Sequence, residues 1–439
     1  LVGSLSADGI TACTLLSSYL RSRTIPFTLN FVRSITDTLL AELHECEEQI
    51  IAFLDLGVGK LKHISSLHPT KTLFIFDHHV PHAEEHTPGT YLNPHLEGLD
   101  GTTEISTAGV MYFLLKALGC AHQRYAVLAL VGAVGDAQER GEFLGLNKQL
   151  VRECGDYLQT VTGITLFGAY TKPLVKVLER SLNPFLPGVT GNQDAVIRFL
   201  ERNGISVLHG RRQKWLHQLS PLEVDRLLEA LAPRVPSGKE GMIGPVYLIK
   251  DPIEGTLYDL REYSALLNAC ARSGRGAVGF GVCAGDERCF SLARSISENY
   301  HRSLLNALVW FFHHKGTEKI VEKEGYVIIN AEGYISDQFL GTVLSLISRS
   351  GVYPEGTILV ALAYTLGGDL HVSSRFCGKG KAVDLKELLD RAISFVGGEV
   401  GGHSLAAGAH VKADKEEELL RALDNVFSEV LSTVKIPPS

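Results

Sequence analysis

Through the first eighty residues, short apolar runs alternate with amphipathic stretches, and this alternation restricts the fold more than any other feature of the chain. Residues 26–31, 49–54 and 71–76 are predicted strands, and 9–22, 37–45 and 60–67 are predicted helices between them. Such alternation specifies an α/β fold: a doubly wound, mostly parallel sheet with helices on its faces. Residues 105–118 and 125–134 read as buried helices, although periodicity alone fits a strand equally well for the second.

The texture changes near Asn183-Pro184 and Leu186-Pro187-Gly188, which carry turn chemistry. Helices are predicted over 194–202 and 220–231, with the basic run Arg211-Arg212-Gln213-Lys214 between them and a surface loop over 233–244. A long connecting helix is predicted over 291–312. A second α/β unit follows, with strands at 326–330 and 358–363 and helices at 337–349 and 384–396. The expected domains are residues 1–185, a helical connector over 186–318, and a smaller α/β domain over 319–435. The length agrees, at about 100–200 residues per domain.

Composition narrows the function classes. With 42 Lys and Arg against 49 Asp and Glu, the net charge of −7 excludes broad coating of nucleic acid and leaves only a local groove. The eight cysteines form no Cys-x-x-Cys pair, which argues against a zinc cluster and for reduced thiols in the cytosol. No apolar run reaches the roughly 18–20 residues that span a bilayer, and no signal peptide is visible. The chain opens at Leu1-Val2-Gly3 without a methionine, which reads as a trimmed start.

Four acidic residues stand where predicted elements end or begin: Asp8 after the first strand, Asp55 after 50–54, Asp77 after 74–76 and Asp136 after Val134-Gly135. In an open parallel sheet the strands' carboxyl ends share one edge, so residues far apart in sequence converge there. Singly, each Asp also suits a helix cap or a turn. The triplet Asp77-His78-His79 has no comparable packing role. Carboxylates with imidazole in one crevice call for a divalent cation, and the mixed donor set favours Mn²⁺ over Mg²⁺.

That triplet resembles the signature of the DHH phosphoesterases, and the chain is similar to RecJ-type single-strand exonucleases, most of all the archaeal RecJ-like proteins. Asp55-Leu56-Gly57 resembles the second motif and Gly135-Asp136 the fourth. Asn268-Ala269-Cys270-Ala271-Arg272 is similar to the RecJ Asn-Ala-x-Gly-Arg element, with Ala271 replacing the glycine. Ser374-Arg375 and Gly401-Gly402-His403, followed by Ala406-Ala407-Gly408, resemble the substrate-binding motifs of the DHH-associated domain. The resemblance implies a two-metal phosphodiester hydrolase. It assigns Asp8, Asp55, His78 and Asp136 to one metal, with Asp55 bridging to the other. It further implies that His79 contacts the scissile phosphate and that Asp77 orients the histidines. Arg272, Ser374, Arg375, Gly401, Gly402 and His403 are the implied substrate contacts.

The first motif departs from the family pattern His-x-Asp-x-Asp-Gly: Ser4 stands for the His and Ser6 for the first Asp. Both lost ligands belong to the first metal, so one metal site of usual affinity is expected and the other is absent or very weak. His82 and His86 are candidates to fill the gap; exposed loop histidines are the plainer reading. Arg211, Arg212, Lys214, Arg272, Arg275, Arg375, Lys379 and Lys381 are candidates to line a strand-binding groove. The stretch 215–231, with Trp215 and Leu216 reading as exposed, is either a partner surface or a core helix. The expected function is end-directed hydrolysis of single-stranded DNA or RNA. The alternative is a weak or inactive paralogue serving as a binding subunit, with the resemblance implying GINS-like or helicase replication partners. A small-molecule hydrolase of the same family is disfavoured by the length and by the 268–272 element.

Overall fold

A computed structural model describes residues 1–81, 89–139, 141–235, 238–250, 257–378 and 383–433. The chain forms two compact units, residues 1–171 with 243–300, and residues 172–242 with 301–439. In the first, β1 (Val2–Ser4), α1 (Ala7–Ser22), β2 (Asn30–Val32), α2 (Asp37–Glu45), β3 (Ile50–Leu54), α3 (Leu61–Ile64), β4 (Thr72–Phe76) and β5 (Thr90–Leu92) follow in order. The strands assemble as β2-β1-β3-β4-β5, every neighbouring pair parallel.

The apolar runs of β3 and β4 are explained by burial on both faces. Ile51, Phe53, Leu73 and Ile75 pack with Leu39, Leu61 and Ile64 on one side. Ala52, Leu54 and Phe76 join the larger core with Ile10, Leu15 and Leu130 on the other. That core is closed by α4 (Thr107–Ala117), α5 (Gln123–Gly135) and α6 (Gly145–Glu153). Residues 125–134 are helical: Ala126, Ala129, Leu130 and Ala133, buried completely, recur at i, i+3, i+4 and i+7. The first strand after α1 is shorter than expected and begins at Asn30; Pro26, which lacks an N–H, stands outside the ladder. Residues 60–67 form α3 followed by a 3₁₀ turn over Ser65–Leu67.

After β6 (Leu158–Ile164), the chain builds α7 (Leu174–Glu179), α8 (Gln193–Arg202), the short hairpin β7 (Leu208–His209) and β8 (Arg212–Gln213), and α9 (Pro221–Leu231) in the second unit. It then returns to the first unit. There β9 (Ile243–Lys250) pairs antiparallel with β6 and with β10 (Leu257–Asp259), and α10 (Leu260–Arg272) and α11 (Gly276–Cys283) pack on α1. Residues 243–300, inside the stretch expected as connector, thus belong to the first unit. The helix α12 (Glu287–His314) carries the chain onward.

The second unit ends in β11 (Ile320–Lys323), β12 (Tyr326–Asn330), α13 (Asp337–Ser348), β13 (Ile358–Tyr364), β14 (Leu370–Phe376), α14 (Leu385–Ser394), β15 (Glu399–His403), β16 (Ala406–Val411) and α15 (Glu416–Thr433). Its sheet runs β11-β12-β13-β14-β16-β15, with β12 and β13 parallel and the other pairs antiparallel. Leu370, Val372, Ala407 and Ala409 pack under Leu389 of α14 and Leu423 of α15.

Two surface expectations are corrected. Lys214 is buried and its ammonium sits 2.6 Å from Glu223 Oε1, so the exposed basic run stops at Arg212. Leu216 is buried, at 6 % exposure, and Trp215 is half-buried. Residues 216–218 form a 3₁₀ turn that precedes α9 rather than part of an exposed helical face. Among the described residues no helix is long and apolar enough to cross a membrane, and all eight cysteines are free.

Candidate metal centre

The carboxyl edge of the first sheet gathers the expected cluster. Asp55 follows β3 directly and Asp77 follows β4. Asp8 lies in the first turn of α1, which starts two residues after β1, and Asp136 caps the carboxyl end of α5. Asp55 adopts φ +59, a left-handed conformation in which, glycine apart, short polar residues are enriched.

At the centre is His78. Its Nδ1–H donates to the Gly101 carbonyl at 2.6 Å, which leaves Nε2 facing the acids. Nε2 lies 3.3 Å from Asp136 Oδ2, 3.5 Å from Asp55 Oδ1 and 3.9 Å from Asp8 Oδ2, and it is buried without a hydrogen-bond partner. An orphaned imidazole nitrogen ringed by three carboxylates has the donor set of a divalent-cation site, so the residues fit such an ion. The ligand atoms of Asp8, Asp55, His78 and Asp136 all lie within 4.8 Å of one another, and those of Asp55, His78 and His79 do so as well.

The supports of the cluster are mostly backbone. Asp8 is fully buried and accepts the Thr107 and Ala108 N–H groups, 2.7 and 2.9 Å, at the amino end of α4. Gly132 leaves the space: a Cβ there would stand 2.4 Å from Asp8 Oδ1. Gln138 Nε2 donates to the Gly101 carbonyl at 2.9 Å, and its own Oε1 accepts from Asn147 at 2.7 Å. Asp77 Oδ1 accepts from the His78 and His79 N–H groups and from His79 Nδ1, at 2.8, 3.1 and 2.7 Å, while Oδ2 accepts from Val58 N–H. This pins the His79 ring, whose side chain is 58 % exposed, with Nε2 on the side away from Asp77.

Crowding shifts the titrations. Burial and the Asp55 charge push Asp8 up to about 6, and burial with repulsion from Asp8 and Asp55 raises Asp136. Burial also opposes the Asp55 carboxylate, but the His78 ring, His79 and the Ser4 hydroxyl outweigh it and hold Asp55 at about 2. For His78, burial is outweighed by the three carboxylates, which lift it to about 11. The hydrogen bond to Asp77 raises His79.

Ser4 and Ser6 lie on the other side of Asp55. Both hydroxyls donate to Asp55 Oδ2, Ser6 at 2.7 Å, and their two oxygens are 2.6 Å apart. Ser6 also accepts Gly9 N–H as the amino cap of α1. His82 and His86, the proposed substitutes, lie outside the described residues, as do Lys379 and Lys381.

The remaining motif residues stand elsewhere. Asn268 Oδ1 accepts the Ala7 N–H at 2.9 Å, so the 268–272 element holds the start of α1 in place. Arg272 is exposed at the end of α10, its carbonyl accepting from Arg33, and Arg275 is exposed at the amino cap of α11. In the second unit Ser374 is fully buried and donates to the Ala407 carbonyl. Arg375 reaches Ser345 Oγ, Ser373 Oγ and the Ser374 carbonyl, across the gap left by Gly341 on α13. Gly401 and Gly402 are exposed in β15, and His403 ends that strand. Reasoning from sequence missed Gly101, Thr107, Gln138 and Asn147; the polar Gln138 and Asn147 beside an otherwise apolar helical region were the available signal.

The chain matches the DHH family, N-terminal domain over residues 2–133, the DHH-CID domain over 166–238 and the DHHA1 domain over 326–429. It belongs to the DHH family. An uncharacterized protein of Methanocaldococcus jannaschii, MJ0831, is 26 % identical over 97 % of this chain and 92 % of its own length. CDC45 from Entamoeba histolytica superposes with a TM-score of 0.68 at 12 % identity, covering 98 % of this chain and 95 % of that one. RecJ from Thermus thermophilus, solved with Mn²⁺, gives 0.57 at 14 % identity over 98 % of this chain and 51 % of that one. An exonuclease RecJ bound to manganese gives 0.56 at 16 % identity, covering 97 % and 89 %. Within the family, the chain is RecJ-like in fold.

Proposed function

We propose that this chain is a RecJ-like phosphodiesterase that hydrolyses single-stranded nucleic acid from an end with one divalent cation, Mn²⁺ in preference to Mg²⁺. The observation that carries the reading is the unpartnered Nε2 of His78 facing Asp8, Asp55 and Asp136. A cation held by these four residues supplies Lewis acidity and a water acidified toward hydroxide. His78, with Nδ1 committed to Gly101, offers Nε2 as ligand without a change of tautomer. The hydrogen bond to Asp77 raises the His79 pKa and so favours the imidazolium, whose Nε2–H is the proposed donor to a phosphate oxygen, where negative charge grows as the bond breaks. Arg272, Arg375, Gly401, Gly402 and His403 are the proposed contacts to the strand, with Ser374 supporting β14 from the core. The proposed division gives residues 1–171 with 243–300 to catalysis and residues 319–435 to substrate.

A second reading has its own observation. Because two serine hydroxyls satisfy Asp55 Oδ2, the symmetric pair of metals about 3.5–4 Å apart is not supported, and a non-hydrolytic binding subunit in a replication or repair complex fits that loss. Incubation with single-stranded DNA and RNA labelled at either end, in Mn²⁺ or Mg²⁺, separates the two. Cleavage abolished by Asp136→Ala supports hydrolysis; cleavage unchanged in that variant belongs to a contaminant. Strand binding with no cleavage supports the subunit reading.

A further inference from the structure

The second unit holds a cavity of about 590 Å³ that shares no residue with the metal cluster. Its wall is one face of α8. Ala195, Arg198, Phe199 and Arg202 recur at i, i+3, i+4 and i+7 and line it, while Val196 and Leu200 turn the other way into the core. The helix therefore has two committed faces, one apolar and buried, the other pairing an aromatic ring with two guanidinium groups. Arg234, opposite, lies over the Phe199 ring at 5.5 Å and donates to the Ala230 carbonyl.

Three cations thus ring one mouth. Among the described residues, neither Arg198 nor Arg202 forms an ion pair or a hydrogen bond, although Glu229 lines the same cavity. Three guanidinium groups against the single carboxylate of Glu229 leave the lining net positive, which favours an anion, and the guanidinium fork matches phosphate oxygens in pairs. The rest of the lining asks for more than an ion. Val189, Phe199 and Pro233 offer apolar surface, and Glu229 and Asn203, whose Nδ2 is held by the Phe199 carbonyl, offer acceptors.

We propose that this cavity binds a mononucleotide, its phosphate held by Arg198 and Arg202, its base against the Phe199 and Arg234 side, and its hydroxyl or amino donors on Asn203 and Glu229. The volume lies in the range of about 300–1,000 Å³ typical of sites for single small molecules. A run of peptide carboxylates would meet Glu229 at the same rim, which disfavours an acidic peptide. The inference does not depend on hydrolysis at the metal cluster.

The test is calorimetric titration of the full chain in EDTA, which silences cation-mediated binding. The probes are adenosine and uridine 5′-monophosphates, adenosine, inorganic phosphate and a short Asp/Glu/Leu peptide. A monophosphate should bind once per chain and at least tenfold more tightly than adenosine or phosphate. The double variant Arg198→Ala/Arg202→Ala should weaken it at least tenfold while its melting temperature stays within about 2 °C, both side chains being exposed. Arg234→Ala should weaken binding in the same direction. Absence of saturable monophosphate binding overturns the proposal. So does binding that survives the double variant, which places it at another site, and so does saturable binding of the peptide alone.

Discussion

Ser6 Oγ lies 2.7 Å from Asp55 Oδ2, with the Ser4 hydroxyl on the same oxygen, so neutral donors stand where the family's first motif supplies metal ligands. Asp55 therefore has one oxygen saturated by hydroxyls and the other, Oδ1, turned to His78. The expected stoichiometry is one Mn²⁺ per chain. Ser4→His with Ser6→Asp should raise it to two and increase any cleavage. Ser6→Asp alone, which keeps a capping side chain on α1, is the control should the bulkier change at buried Ser4 fail to fold. Without metal, the added carboxylate beside Asp55 should cost about 1–3 kcal/mol of stability. Native mass spectrometry reads the stoichiometry; two metals on the unaltered chain would refute the one-metal reading.

Asp77 makes no direct approach to the cluster's centre, yet four donors converge on its carboxylate, and it fixes both the turn after β4 and the His79 ring. Asp77→Asn replaces one acceptor by a donor and frees His79. Turnover should fall about 10–100-fold, as is usual when a group orienting a site residue is lost. Metal stoichiometry should persist, because the four proposed ligands are intact. Loss of metal and activity together would mean that Asp77 serves the ligands rather than His79.

Much of this was legible in the sequence because it is written in periodic or punctuated segments. Residues 37–45 and 326–330 fold as expected, and Asp8, Asp55 and Asp136 meet because each stands where a strand or helix begins or ends. What supports them was not legible. The Gly101 carbonyl and the Thr107 and Ala108 N–H groups are main-chain atoms, which every residue carries, so no residue type announces them. The φ of +59 at Asp55 is a backbone conformation that no residue type at that position announces. Lys214 read as part of a basic run because its neighbours in sequence are cationic; its burial depends on Glu223, placed beneath it by the first turn of α9.

That Lys214–Glu223 pair also governs behaviour in acid. Glu223 completes a capping box with Ser220 and accepts the Lys214 ammonium, and these bonds hold its carboxyl at about 2. A carboxyl depressed in the folded state adds stability above its ordinary value near 4.5, and that contribution is lost as pH falls from about 4.5 toward 2. Glu223→Gln should cost about 1–3 kcal/mol at pH 7 and make the melting temperature less sensitive between pH 5 and 3. Denaturant unfolding at several pH values checks both; parallel curves for the two proteins would exclude the pair as an acid-sensitive element.

The opposite sign holds at His78. With its pKa lifted to about 11 by the carboxylates, the protonated ring stabilises the metal-free cluster fully below about 6.5, and that contribution is lost as pH rises through 11. Asp8, raised to about 6, works in the same direction at lower pH. In chelator, the melting temperature should therefore decline between pH 6.5 and 9.5, and His78→Gln should flatten the decline. A cation on Nε2 must displace that proton, so Mn²⁺ affinity should rise steeply between pH 6 and 8, with about one proton released per ion. Titration in two buffers of different ionisation enthalpy counts the proton. Zero release, together with equal affinity at pH 6 and pH 8, would place the ion away from His78.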